Sequence, residues 1–185
     1  MLNLKSFTQY VNEGTKDVTI AWGRFNPPTI GHEKLLTAVA KTARGSAYKI
    51  YASQSADPKK NPLQYKDKIK YMRKMFPKHS RNIMISSKIR TIMELLSSLY
   101  DQGFNKVTIV AGSDRVAEYE TLANKYNKTK GRHGFYNFDG GINVVSAGVR
   151  DPDAEGATGM SASKMRAAAA DNDFQTFSKG LPSGF

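Results

Sequence analysis

Five short β-rich runs, each followed by a longer stretch with another periodicity, constrain the fold of this chain more than any other feature. VTIAW (18–22), YKIYAS (48–53), NIMIS (82–86), KVTIVA (106–111) and INVVSA (142–147) read as strands. Between them lie helical patterns. His32 to about Ala43 places Leu35, Leu36, Val39 and Ala40 on one face. The basic segment QYKDKIKYMRKMF follows and is stopped by Pro77, and IRTIMELLSSLYDQG is closed by Gly103. A further helix is expected from about Asp114 to Tyr126, another begins in SASKMRAAAA, and DFQTFSKGL reads as the last. Strands alternating with helices at this spacing predict an α/β fold with a parallel sheet and right-handed crossovers.

The expected architecture is a doubly wound, Rossmann-like five-stranded parallel sheet with helices on both faces. Such sheets bind ligands beyond the carboxyl ends of their strands, which selects the loops after residues 22, 53, 86, 111 and 147. The Gly-, Asn- and Lys-rich stretch 127–141 is expected to be a mobile excursion over that face. There is no internal repeat, and 185 residues suit one domain. We read 17–185 as that domain and 1–16 as an amphipathic segment preceding it.

Composition removes several classes of function. The chain has no cysteine, so disulfides, thiolate zinc sites and cysteine nucleophiles are excluded. No apolar run approaches the roughly 20 residues that span a bilayer. The start, MLNLKSFTQYVNE, lacks the apolar core of a secretory signal, so a cytoplasmic site of action and no membrane partner are expected. Lys and Arg number 28 against 16 acids, a formal charge of +12. That excess favours an anionic partner: a nucleotide, a phosphorylated metabolite or nucleic acid.

The stretch GRFNPPTIGH (23–32) follows the first strand and opens the first helix. Amide groups at a helix start, with the helix dipole, favour phosphate. His32 in that first turn can donate to a phosphoryl oxygen, and Thr29 can add a second donor. Gly31 permits close approach of a ligand, and Pro27 and Pro28 stiffen the loop. A plain strand-to-helix turn in which Thr29 caps the helix would account for some of these residues but not for the whole string.

The string resembles the HIGH-motif nucleotidyltransferases, whose pattern is G-x-F-D/N-P-x-H/T-x-G-H. Gly23, Phe25, Asn26, Pro27, Thr29, Gly31 and His32 match it. Thr29 stands where many members carry a first His, as it does in phosphopantetheine adenylyltransferases. The GRF opening, with Arg24, is similar to archaeal-type nicotinamide mononucleotide adenylyltransferases. These enzymes close with a segment I-S-S/G-T-x-x-R at a late helix start. In GMSASKMR (159–166), Ser161, Ser163 and Arg166 fall in matching places, Ser163 replaces the usual Thr, and Lys164 adds a charge. Hydroxyls and amides at a helix start with a Lys and an Arg nearby make a pocket for β- and γ-phosphates; an N-cap serine before an Ala-rich helix is the plainer account.

Two fainter echoes lie between. KKNPLQYKDKI (59–69) resembles the segment after the second strand of nicotinate and nicotinamide mononucleotide adenylyltransferases. There Lys59 or Lys60 is either a phosphate contact or part of a solvated charge run. VAGSD (110–114) resembles the G-x-D of the same enzymes, with Asp114 either capping a helix or touching a ribose or acceptor.

The resemblance implies transfer of a nucleoside monophosphate from a triphosphate, ATP in preference to CTP, to a small phosphate-bearing acceptor with release of pyrophosphate. It assigns catalysis to Thr29, His32 and Arg166. Gly23, Arg24, Phe25, Asn26, Gly31, Ser161, Ser163 and Lys164 are assigned to nucleotide binding. Magnesium (Mg2+) would accompany the triphosphate, held by phosphate and water rather than by a protein cage. GRFNP, NPL and GSD point to nicotinamide mononucleotide as acceptor, the Thr29-x-Gly31-His32 form to phosphopantetheine, and the first motif is shared with cytidylyltransferases.

A different class of function is raised by MLNLKSFTQYVNEG, which puts Leu4, Phe7, Tyr10 and Val11 on one helical face. It resembles the short N-terminal segments of tailed-phage proteins of the T4-like group, some of which direct proteins into the prohead. On that reading the chain is a non-catalytic virion-internal protein contacting capsid or packaged DNA. A short amphipathic helix packing on the domain is the simpler account.

Overall fold

The computed structural model describes residues 16–148 and 159–185. Four parallel strands form one sheet in the order β2-β1-β3-β4: β1 Asp17–Gly23, β2 Ala47–Ala52, β3 Lys106–Ala111 and β4 Ile142–Ser146. The helices are α1 Ile30–Ala43, α2 Tyr65–Met75, α3 Ile92–Asp101, α4 Val116–Lys125, α5 Ala162–Ala170 and α6 Phe174–Ser178. The chain winds outward from β1 to β2, then returns past β1 to β3 and β4. The topological switch therefore lies between β1 and β3, where a crevice opens beyond the carboxyl ends.

Central strands buried on both faces explain their continuous apolar character. Val18 and Ile20 of β1, with Val107 and Ile109 of β3, pack against Leu95, Leu96 and Leu99 of α3 and Tyr119 and Ala123 of α4. On the other face Ala21 and Val110 meet Val39 of α1, while Ile50 and Ala52 of β2 meet Leu36 of α1 and Ile69, Met72 and Met75 of α2. Local signals set the helix ends. Thr91 and Glu94 cap α3 reciprocally: Glu94 N donates to Thr91 Oγ1 at 3.2 Å and Thr91 N to Glu94 Oε2 at 2.9 Å. After α3, Gly103 turns the chain with a φ of +81°.

The strand expected over 82–86, third of the five, does not form. A 3-10 helix, Pro77–Asn82, consumes its first residue, and only Ile83 bridges to Ile50. Met84 N still donates to the Ile50 carbonyl at 2.9 Å, but other backbone groups of the segment are met by side chains. Arg73 donates to the Ile83 carbonyl from Nε at 3.1 Å and Nη2 at 2.7 Å, Ser86 N donates to the Tyr65 hydroxyl, and Gln54 donates to the Ser86 carbonyl. The segment lies in extended contact with β2 without extending the sheet beyond four strands.

The stretch 127–141 is also corrected. It is anchored rather than a mobile excursion, and it lies at the other end of the sheet. Helix α4 runs back against the strands, so its end delivers the chain to the amino edge. There Tyr136 and Phe138 are buried in the core, the Tyr136 hydroxyl donates to the Ala123 carbonyl at 2.8 Å, and Gly140 N donates to the Asn105 carbonyl. The amphipathic segment expected over 1–16 lies, but for Lys16, outside the described residues.

Candidate active site

The first loop leaves β1 at Gly23 and enters α1 after Thr29. Its residues fall into two groups. Arg24 is exposed, whereas Phe25, Asn26 and Thr29 are buried. Phe25 therefore acts as a floor: its ring packs into the α1–β2–α2 core and lies 4.8 Å from the His32 ring. Asn26 is used inside the protein. Its Nδ2 donates to the Leu63 carbonyl at 3.0 Å and its Oδ1 accepts from Leu63 N at 2.9 Å, so it ties the first loop to the NPL segment as a strand partner would.

Thr29 and His32 form one unit at the start of α1. Thr29 N donates to His32 Nδ1 at 2.9 Å, and Thr29 Oγ1 lies 3.0 Å from the same nitrogen. An Nδ1 that accepts a backbone N–H leaves the proton of a neutral imidazole on Nε2. The ring is thus set as an Nε2–H donor. Thr29 is buried, with its hydroxyl turned to the His32 ring. The amides of this turn are partly used within the chain: Ile30 N donates to the Gly180 carbonyl and His32 N to the Thr29 carbonyl, each at 2.8 Å.

The late segment is brought directly against this loop. Arg166 on α5 donates from Nη1 to the Asn26 carbonyl at 2.7 Å and from Nη2 to Ser163 Oγ at 3.0 Å. Ser161 is the N-cap of α5, accepting from Lys164 N at 3.0 Å. A Cβ built on Gly31 would stand 3.9 Å from the Met160 carbonyl, which places the two segments in contact. Lys59 and Lys60 are exposed, and their amides, not their ammonium groups, engage Asp57 Oδ1. Asp114 is exposed in the turn after β3 and folds back over Gly112, whose Cβ would meet Asp114 Oδ1 at 2.7 Å.

One residue of the site was not legible as such. Lys68 of α2 is fully buried. Its Nζ donates to the carbonyls of Arg24 at 3.2 Å, Ser53 at 2.5 Å and Ser55 at 3.3 Å. It therefore fastens the loop after β1 to the loop after β2. Burial pushes its ammonium down to about 8, while three carbonyls match the three N–H bonds of the charged form. The signal was its position: in QYKDKIKYMRKMF, Lys68 falls on the inward stripe with Tyr65, Ile69, Met72 and Met75.

The model of the cytidylyltransferase-like family matches residues 20–167, from β1 through Arg166 and into α5. The chain belongs to the cytidylyltransferase-like family. A solved structure of similar fold is named as a nicotinate-nucleotide adenylyltransferase from Vibrio parahaemolyticus. It aligns with a TM-score of 0.53 and 14% identity over 88% of this chain and 92% of that one. No curated protein matches by sequence. This cytidylyltransferase-like chain is a nucleotidyltransferase.

Two concavities flank α1. One of about 970 Å³ opens at the amino end of the sheet, lined by Asp17, Thr19, Arg44, Lys106 and Thr108. The other, of about 500 Å³, runs along α1 from Ile30 and Gly31 to Lys41 and meets Ala147. The second adjoins the loop 23–32, and the first lies at the amino edge of a parallel sheet, away from the edge where such sheets bind ligands. Among the described residues no three or more His, Asp or Glu gather to hold a metal, and no helix is long and apolar enough to cross a membrane.

Gly23 has a steric reason at the start of this loop. A Cβ there would lie 2.9 Å from Phe25 Cε2 and 3.1 Å from Cζ, and the buried ring has no room to yield. Gly23→Ala is expected to destabilise the fold by about 1–3 kcal/mol, read as a lowered thermal midpoint.

Proposed function

We propose that this nucleotidyltransferase moves the adenylyl group of ATP to a mononucleotide acceptor of the nicotinamide or nicotinate class, releasing pyrophosphate. The observation that supports the reading is the meeting of the loop 23–32, which carries His32 as an Nε2–H donor at the carboxyl end of β1, with the Ser161–Arg166 turn of α5 through the bond from Arg166 to the Asn26 carbonyl. An acceptor phosphate oxygen attacks the α-phosphorus, the bond to the bridging oxygen breaks, and pyrophosphate leaves. No protein nucleophile takes part. The protein aligns two anions and stabilises the charge that develops on the transferring group.

In this reading His32 faces the α-phosphate, and Arg166, Ser163 and Lys164 face the β- and γ-phosphates. Arg24, Lys59 and Lys60 line the rim. Binding a triphosphate would exchange the contact of Arg166 with Ser163 for contacts to phosphate. Magnesium would enter as part of the substrate, on the triphosphate. The nicotinamide or nicotinate acceptor is favoured by the Asn26–Leu63 pairing, which gives the NPL segment a place beside the first loop. A second reading, CTP as donor, is favoured by the family itself.

The test is magnesium-dependent pyrophosphate release with ATP or CTP against nicotinamide mononucleotide, nicotinate mononucleotide, phosphopantetheine, glycerol phosphate and choline phosphate. Release with ATP and a nicotinic mononucleotide, weakened about tenfold or more through a raised nucleotide KM in Arg166→Ala, is the expected result. Release only with CTP, or only with another acceptor, replaces the substrate assignment. Silence across the panel from folded protein removes the activity and leaves the non-catalytic role.

A further inference from the structure

The net charge of +12 is not spread over the molecule. Residues 59–90 hold eleven of the 28 Lys and Arg and one acid, Asp67, while the other 153 residues hold 17 and 15. Lys68 and Arg73 are turned inward onto carbonyls, but Lys59, Lys60, Lys66, Lys70, Lys74, Lys78, Arg81, Lys88 and Arg90 are all exposed. The ion pairs formed among the described residues, Lys106 with Asp17 and Arg115 with Glu118, lie elsewhere.

The arrangement is linear. Lys66, Lys70 and Lys74 follow at i, i+4 and i+8 on the outer face of α2, a row of about 12 Å with one charge per roughly 6 Å. Lys78 and Arg81 prolong it through the 3-10 helix. Such a row repels itself unless an anion answers it. One phosphate can meet one of these lysines, whereas a phosphodiester chain meets them all. The opposite face of α2 is fixed in the core by Ile69, Met72 and Met75, so the helix has no apolar side to offer a membrane. Aromatic rings lie along the row: Lys70 Nζ is 5.9 Å from the Tyr71 ring centre and Lys74 Nζ 5.3 Å from that of Phe185, which is 45% exposed. Cations interleaved with accessible rings suit a sugar-phosphate backbone with stackable bases.

We propose that the outer face of α2, continued by the 3-10 helix, is a docking surface for nucleic acid, held by the Lys66–Lys70–Lys74 row along its phosphates. Lys68, beneath the row, ties α2 to the Arg24 carbonyl, so the surface begins beside the candidate active site. Docking is independent of nucleotidyl transfer and is measured without ATP.

The experiment is fluorescence anisotropy of labelled single-stranded DNA, duplex DNA and single-stranded RNA, each about 20 nucleotides long, from about 50 to 200 mM salt. Wild type should bind at least one of them, with affinity falling steeply as salt rises. Lys66→Gln/Lys70→Gln/Lys74→Gln should weaken that binding at least about tenfold at the lowest salt and lower the salt slope by about 2–3. The control removes the same charge from the end of α4 and the stretch that follows it, Lys125→Gln/Lys130→Gln/Arg132→Gln, all exposed. It should stay within about threefold of wild type. Unchanged melting curves would show that both variants fold. No binding by wild type, equal losses in the two variants, or binding of phosphatidylserine vesicles in place of nucleic acid would each overturn the proposal.

Discussion

Replacing His32 with alanine is expected to slow pyrophosphate release by about 10²- to 10⁴-fold with little change in nucleotide KM. The reasoning starts from the ring's proton. Because Thr29 N–H occupies Nδ1, the donor is Nε2, and a donor aimed at a phosphoryl oxygen gains most when charge accumulates there in the transition state. The loss should therefore appear in kcat. Alanine also removes the acceptor for Thr29 N–H, a capping loss of about 1 kcal/mol, so the variant remains folded. Thr29→Val keeps the backbone amide on Nδ1 and removes only the hydroxyl, so its effect should be smaller, about tenfold. Turnover by His32→Ala within a fewfold of wild type would remove His32 from the chemistry.

The second large effect is expected at Lys68. Lys68→Met retains most of the stem but leaves the buried Ser53 carbonyl without its donor and frees the Arg24 and Ser55 carbonyls. A destabilisation of about 3 kcal/mol is expected by denaturant unfolding, together with reduced turnover because the loops after β1 and β2 are no longer joined. The variant should also change how stability depends on pH. The folded ammonium titrates at about 8 against a reference of 10.5, so between those values the unfolded state binds more protons. Stability gains from this group as pH rises through that window, and the gain disappears in Lys68→Met. Lys49, lowered by burial and then by Lys16, adds in the same direction. Tyr51 and Tyr136, pushed up to about 12 by burial, oppose it only above pH 10. The difference between the wild-type and Lys68→Met curves over pH 8–10 isolates the lysine. A flat difference would refute this account of the buried ammonium.

Much of the architecture is legible because central parallel strands are buried on both faces and therefore largely apolar, as VTIAW and KVTIVA are, while YKIYAS and INVVSA carry enough β-branched and aromatic residues to mark the edge strands beside them. NIMIS has the same local composition and fails for a non-local reason: Arg73, Tyr65 and Gln54 supply the hydrogen bonds that a neighbouring strand would have supplied. The stretch 127–141 misleads in the opposite way. Its glycines and lysines look like a solvated loop, yet Tyr136 and Phe138 carry it into the core. In the site, GRFNPPTIGH and GMSASKMR mark the two segments that meet. The sequence pattern does not separate residues that face a ligand from residues that hold the frame. Asn26 and Phe25 are in the second group because a neighbouring backbone and core claim them. Lys68 was hidden because a lysine among lysines gives no local sign of pointing inward.

The contact between Arg166 and the Asn26 carbonyl joins positions 140 apart in sequence. During synthesis at about 5–20 residues per second, the first loop would wait roughly 7–28 s for its guanidinium partner. Over that interval a nascent chain has the loop that carries His32 but not the guanidinium that fastens it. Folding up to that point must therefore proceed on the sheet and its helices, without this contact.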